Sequence, residues 1–131
     1  NKFFFKTKTG YQISNNDILN FNQNNIKIID NLSFIEAITK YNIGFLIAFD
    51  STMLIEALYY KLIPIKLNSK KNWSYDLVKE NLIFKADKDK DLFTILNKMS
   101  KYRKKVLINK QKVWGNKSKL ISRKSFLNKN F

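Results

Sequence analysis

A chain of 131 residues with 25 Lys and Arg against 10 Asp and Glu carries a net charge of +15, and its 44% apolar content supports a packed core rather than disorder. It contains no Cys and no His, which excludes disulfides, thiolate and imidazole metal sites and any histidine general base. No apolar run approaches the ~18 residues of a bilayer span and no signal-peptide pattern opens the chain, so a cytoplasmic protein is expected.

The chain begins without Met and runs directly into Lys2-Phe-Phe-Phe-Lys6, which reads as a strand. A domain that starts inside its first strand is expected to be a fragment, or the second half of a longer protein. Residues 7–10 form a turn. The Asn-rich stretch from Tyr11 to Asn25 holds Ile13, Ile18, Leu19 and Phe21, and predicts a short helix over Asp17–Phe21 or a little longer, with its cap among residues 14–17. Ile26–Ile29 is a second strand. Ser33 followed by Glu36 is a capping box for a helix over Phe34–Tyr41, which Asn42-Ile43-Gly44 ends.

The stretch from Phe45 to Lys66, FLIAFDSTMLIEALYYKLIPIK, organises the rest. Phe45–Phe49 is apolar and too short for a helix, as a strand buried on both faces would be. Asp50, Ser51 and Thr52 are helix-start residues, Met53–Tyr60 reads as the helix, and Leu62–Leu67 as the next strand, with Pro64 near its beginning. Together these make a βαβ unit.

A helix start beyond the carboxyl end of a strand offers unpaired N–H groups to a phosphate. Ser51 and Thr52 add hydroxyls there. Glu56 lies four residues after Thr52, on the same helix face, where a carboxylate accepts from the hydroxyls of a ribose. The same residues also fit a plain helix cap followed by a solvated charge.

The segment AFDSTMLIEALYYKLIPI resembles the donor-side motif of two-domain glycosyltransferases of the GT-B fold, among them bacterial capsule and lipooligosaccharide transferases. In that family a hydroxyl-bearing turn, a Glu-Ala pair and a Pro opening the next strand hold the nucleotide diphosphate and its ribose. The matching residues are Ser51 and Thr52, Glu56 and Ala57, and Pro64. The resemblance covers about the first hundred residues in element order, with motif identity confined to this segment. It implies a donor linked to UDP, CMP or GDP and an N-terminal partner domain that would carry the catalytic base; with no plausible metal cluster in the sequence, metal-independent stabilisation of the leaving group and no cofactor are expected. The family's first strand often ends in a Lys-x-His-Pro-like motif. Here Lys6-Thr7-Lys8-Thr9-Gly10 stands in that place without the His or the Pro, leaving Lys6 or Lys8 to neutralise a phosphate. The family's loop after the Pro strand borders the donor, so Trp73 would stack on a base or sugar; as a lone loop Trp it also fits a core edge.

Asp76–Asn81 predicts a helical turn and Leu82-Ile83-Phe84 a fifth strand. Asp87, Asp89 and Asp91 alternate with lysines, but the Gly and Glu of a calcium loop are replaced by Leu92 and Lys98, so a calcium site is not expected. Asp91 is read as the cap of a last helix that packs inward through Leu92, Ile95, Leu96, Met99, Tyr102 and Val106. Lys98, Lys101, Arg103, Lys104 and Lys105 would then point out, with an end at Gly115. Residues 1–100 hold 14 basic and 10 acidic side chains, whereas 101–131 hold 11 basic and none acidic. The basic stretch suits an anionic membrane surface or a return onto the partner domain.

The expected fold is α/β, a Rossmann-like three-layer α/β/α arrangement with about five parallel strands and a long basic C-terminal helix. Residues 1–100 would form the donor-binding domain and 101–131 a helical extension. The expected function is the nucleotide-sugar-binding half of a bacterial glycosyltransferase for surface polysaccharide. It would be cytoplasmic or peripheral at the inner face of the membrane, and as an isolated chain would bind donor without turnover. The alternatives are a non-enzymatic basic module that binds nucleic acid through its tail with Tyr102, Trp114 and Phe126, and an epimerase of the same fold.

Overall fold

The computed structural model describes residues 2–7, 12–49, 51–67 and 75–130, with side chains of the last stretch described over 77–117. Its contacts divide the chain into two compact units, residues 1–43 and 44–131.

In the first unit, β1 (Phe3–Lys6) pairs in parallel with β2 (Ile26–Ile29). They are joined by α1 (Asn15–Gln23), and β2 leads into α2 (Phe34–Tyr41). The helix predicted over 17–21 or a little longer spans 15–23, and its start is set by Ser14, whose hydroxyl accepts the Asp17 N–H at 3.2 Å. Ser33 does the same for Glu36 N–H at 3.2 Å, and Asn42 closes α2 in the left-handed region at φ 50°. Consecutive strand residues point to opposite faces. The Phe4 ring lies 4.7 Å from Tyr41 of α2 and the Phe5 ring 4.5 Å from Phe21 of α1, so the two helices cover opposite faces of this sheet.

The second unit is a parallel three-stranded sheet of β3 (Phe45–Ala48), β4 (Ile63–Leu67) and β5 (Phe84–Ala86), in that order. Its other elements are α3 (Met53–Glu56), a 3-10 turn (Ala57–Tyr59), α4 (Tyr75–Lys79) and α5 (Asp89–Asn130). The sheet is central at β4, where Ile63, Pro64, Ile65 and Lys66 are all buried. β3 is only half-buried, which corrects the expectation of a strand covered on both faces, and Phe49 beyond it is 64% exposed. Pro64 sits inside the central strand without loss of a ladder bond. Ile63 N–H donates to Gly44 O on the β3 side at 3.0 Å, so the Pro64 nitrogen faces the β5 side, where pairing starts only at Ile65.

Further boundaries move from their predicted places. The helix after β3 is a single α turn followed by the 3-10 turn, and Tyr60 is already extended. The fifth strand begins at Phe84 because Leu82 and Ile83 N–H groups both donate to Leu77 O, closing α4 through Asn81 at φ 59°. α5 starts two residues before Asp91, whose carboxylate instead reaches back to the Lys88 N–H at 3.1 Å.

α5 also runs through Gly115, because a glycine permits a helix end without imposing one. Its N-terminal part buries Leu92, Ile95 and Leu96 on the face of the sheet made by Phe45, Ile47, Ile65 and Ala86. At Tyr102 the backbone leaves helical angles (φ −110°, ψ 19°), yet the inward face keeps its three- and four-residue spacing through Leu92, Leu96, Met99, Arg103, Val106 and Lys110. Tyr102, predicted inward, is 42% exposed; Arg103, predicted outward, turns in and donates to Lys61 O at 3.1 Å. Beyond the kink Val113 and Trp114 pack with Leu58, Leu82, Ile55 and Leu77. No helix among the described residues is long and apolar enough to cross a membrane.

Candidate functional site

The candidate site is the corner where β3 ends and α3 begins, at the carboxyl edge of the three-stranded sheet. Ser51 makes the cap: its Oγ accepts Met53 N–H at 3.2 Å and its carbonyl accepts Leu54 N–H at 3.1 Å. Thr52 has helical angles and no side-chain capping bond, while its carbonyl accepts the N–H groups of Ile55 and Glu56 at 3.0 and 3.1 Å. The four amide donors from Met53 to Glu56 are therefore satisfied within the turn. This corrects the expectation that they stand open to a phosphate. A helix of four residues also sums too few peptide dipoles to supply the half charge of a long one.

Side chains are what the corner presents outward. Thr52 and Glu56 are both exposed and one helical turn apart, as the Glu56 N–H to Thr52 O bond requires. A hydroxyl that donates and accepts beside a carboxylate that accepts is a pair suited to the vicinal hydroxyls of a sugar. Leu54, between them in sequence, is fully buried and anchors the turn. Phe49 adds an exposed ring immediately ahead of the corner.

Of the other predicted site residues, Asp50, Lys8 and Trp73 lie outside the described residues. Lys6 belongs to the first unit, at the end of β1, where its Nζ donates to the Thr7 carbonyl at 2.9 Å. Among the described residues no group of three or more Asp or Glu is placed to hold a metal ion. Asp87 pairs with Lys85 at 3.5 Å and Asp91 caps α5.

Two features escaped the sequence reading. Lys66, 3% exposed, stands in register with Ala48 and shares its face of the sheet, next to the strand end that leads into the corner. A single lysine within the apolar run LIPIKL was the available signal. The second is a cationic clamp at the opposite, amino edge of β4. Lys110 of α5 is 5% exposed, and its ammonium donates to the carbonyls of Ala57, Tyr60 and Leu62, at 3.3 Å for Ala57 and 2.9 Å for Leu62. Arg103, seven residues earlier, holds the Lys61 carbonyl, and its guanidinium would lie 3.3 Å from a Cβ placed on Gly44. Burial first, and the neighbouring Arg103 charge second, push the Lys110 pKa down to about 8. All its donors are spent on backbone, so the clamp holds the fold and is not a ligand site.

Comparison with protein-family models, curated proteins and solved structures found no match to this chain.

Proposed function

We propose that the chain is the nucleotide-sugar-binding half of a bacterial glycosyltransferase that builds surface polysaccharide, capsule or lipooligosaccharide. The observation that carries this reading is the pair of outward side chains, Thr52 and Glu56, on one side of a βαβ turn at the carboxyl edge of a parallel sheet, the edge where α/β sheets bind ligands. In this reading the Glu56 carboxylate accepts from the ribose hydroxyls of a UDP-, CMP- or GDP-linked donor. The Thr52 hydroxyl, and that of Ser51 through its remaining hydrogen, donate to the phosphate as the glycosidic bond breaks. Side-chain hydroxyls thus take the role that the spent amides of α3 cannot.

The proposal includes the Rossmann-like three-layer fold of about five strands. Its support is that every described strand pair is parallel and that helices cover both faces of the β1–β2 sheet. It also includes a partner domain supplying the catalytic base, a cytoplasmic setting, and donor binding without turnover by this chain alone. Isothermal titration of UDP, CMP and GDP tests it. One of the three is expected to bind, and Glu56→Ala to weaken that binding about tenfold, the worth of one hydrogen bond to a charged group. Equal affinity in both proteins removes the ribose assignment and the proposal with it.

A further inference from the structure

The outer face of α5 carries a feature independent of the donor corner. Lys90, Lys98, Lys101, Lys105 and Lys112 are all exposed, and with Thr94 and Ile108 they recur at steps of four, four, three, four, three and four residues. That spacing lays them along one stripe of about 33 Å at 1.5 Å per residue. The kink at Tyr102 does not break the stripe, since Lys101 and Lys105 from either side of it both sit over the Tyr102 ring, at 5.6 and 5.9 Å. Lys104 is exposed beside them, and α5 carries no acidic residue after Asp91. Ile108, 56% exposed, stands within the stripe, and Phe93, 61% exposed, lies near its start.

The opposite side of the same helix is fully used. Leu92, Ile95 and Leu96 pack on the sheet, and Arg103, Lys110 and Trp114 are taken up by the turn over residues 57–62 and its neighbours. The stripe is therefore held in one orientation. Its composition also selects a partner. Arg103, the one arginine of α5 with a described side chain, faces inward, so among the described residues the outward cations of α5 are all lysines. Lysine is a point charge suited to a diffuse array of phosphates, whereas reading nucleic acid favours the arginine fork. An aliphatic side chain set among the lysines, Ile108, has a use at a lipid interface and none along a phosphate backbone.

We propose that this stripe, from Lys90 to Lys112, is a docking surface for an anionic phospholipid bilayer, on which α5 lies parallel to the membrane plane. The lysines meet headgroup phosphates, while Ile108 enters the interface. The test is co-sedimentation of the full chain with vesicles of phosphatidylcholine alone or with about a third phosphatidylglycerol. Binding is expected only to the anionic vesicles and is expected to vanish near 1 M salt, where screening shortens to about 3 Å. The variant carrying Lys98→Gln, Lys101→Gln, Lys105→Gln and Lys112→Gln should keep its circular dichroism and lose several-hundredfold in partitioning, about fivefold per lysine. Ile108→Ser alone should cost about tenfold. Equal binding to neutral vesicles, a four-lysine variant that binds like wild type, or displacement from vesicles by an equimolar oligonucleotide each overturns the proposal. A failed nucleotide titration leaves it standing, because no donor-site residue takes part.

Discussion

Lys110 shows how one side chain is decided by opposing terms. Three backbone carbonyls favour its ammonium, while burial and Arg103 disfavour it, and its pKa falls to about 8 from 10.5. Because the folded value lies below the ordinary one, the unfolded chain holds the extra proton between those two values. Stability therefore rises with pH across that window and is lost as pH falls back through about 8. Thermal unfolding followed from pH 7 to 10 is expected to show this rise in wild type and a flatter profile in Lys110→Met. The variant should also be less stable at pH 7, because removing the amine strands the carbonyls of Ala57, Tyr60 and Leu62. A wild-type profile no steeper than the variant's would remove the buried-ammonium account. Ser51 illustrates the complementary case: its hydroxyl oxygen is committed to Met53 N–H, so Ser51→Ala acts on the turn as well as on any ligand, whereas Thr52→Val leaves the turn intact.

At the scale of the element, helix ends follow local chemistry and helix faces do not. Ser14 and Ser33 each accept the N–H three residues on, and Ser33→Ala is expected to cost about 1 kcal/mol in denaturant unfolding of the part that contains α2. Gly115 lies inside α5, and a Cβ there would meet nothing within 4 Å. Gly115→Ala is accordingly expected to stabilise by about 1 kcal/mol and raise Tm by several degrees. A Tm lowered by this change would mean that the glycine serves a purpose the helix does not explain. The inward face of α5 keeps one phase through Tyr102 but meets different partners on either side of it. Hydrophobic burial sets the phase up to Met99, and the carbonyls of residues 57–62 draw Arg103 and Lys110 inward after it.

At the scale of the molecule, the buried apolar residues are unevenly shared. The described core clusters lie wholly in residues 44–131, around Ile65 and around Leu58 and Trp114, while among the described residues of the first unit the buried hydrophobics are Ile29 and Ala37. A two-stranded sheet with so small a described core, even with a helix on each face, is expected to be marginal by itself. Residues 44–131 expressed alone are therefore expected to unfold cooperatively in urea, and residues 1–43 alone to show no transition. A cooperative transition in the shorter fragment would place stability that its buried residues do not account for.

Much of the element order was legible in the amino-acid sequence: β2 and α2 fell at their predicted residues, and β1, β3, β4 and α4 within one or two. Short apolar runs, serine caps and Asn or Gly breaks act over three or four residues, so their effect needs no knowledge of the rest of the chain. The same holds for Thr52 and Glu56, whose shared side follows from helix periodicity. What only the tertiary structure decided was how backbone groups are satisfied over long separations. The carbonyls after the 3-10 turn are met by Arg103 and Lys110 from more than forty residues away, the amides of α3 are closed off by Ser51 and Thr52, and Lys66 is buried by its place in the central strand. Such pairings depend on which segments become neighbours, and a periodic pattern along one chain segment carries no record of that.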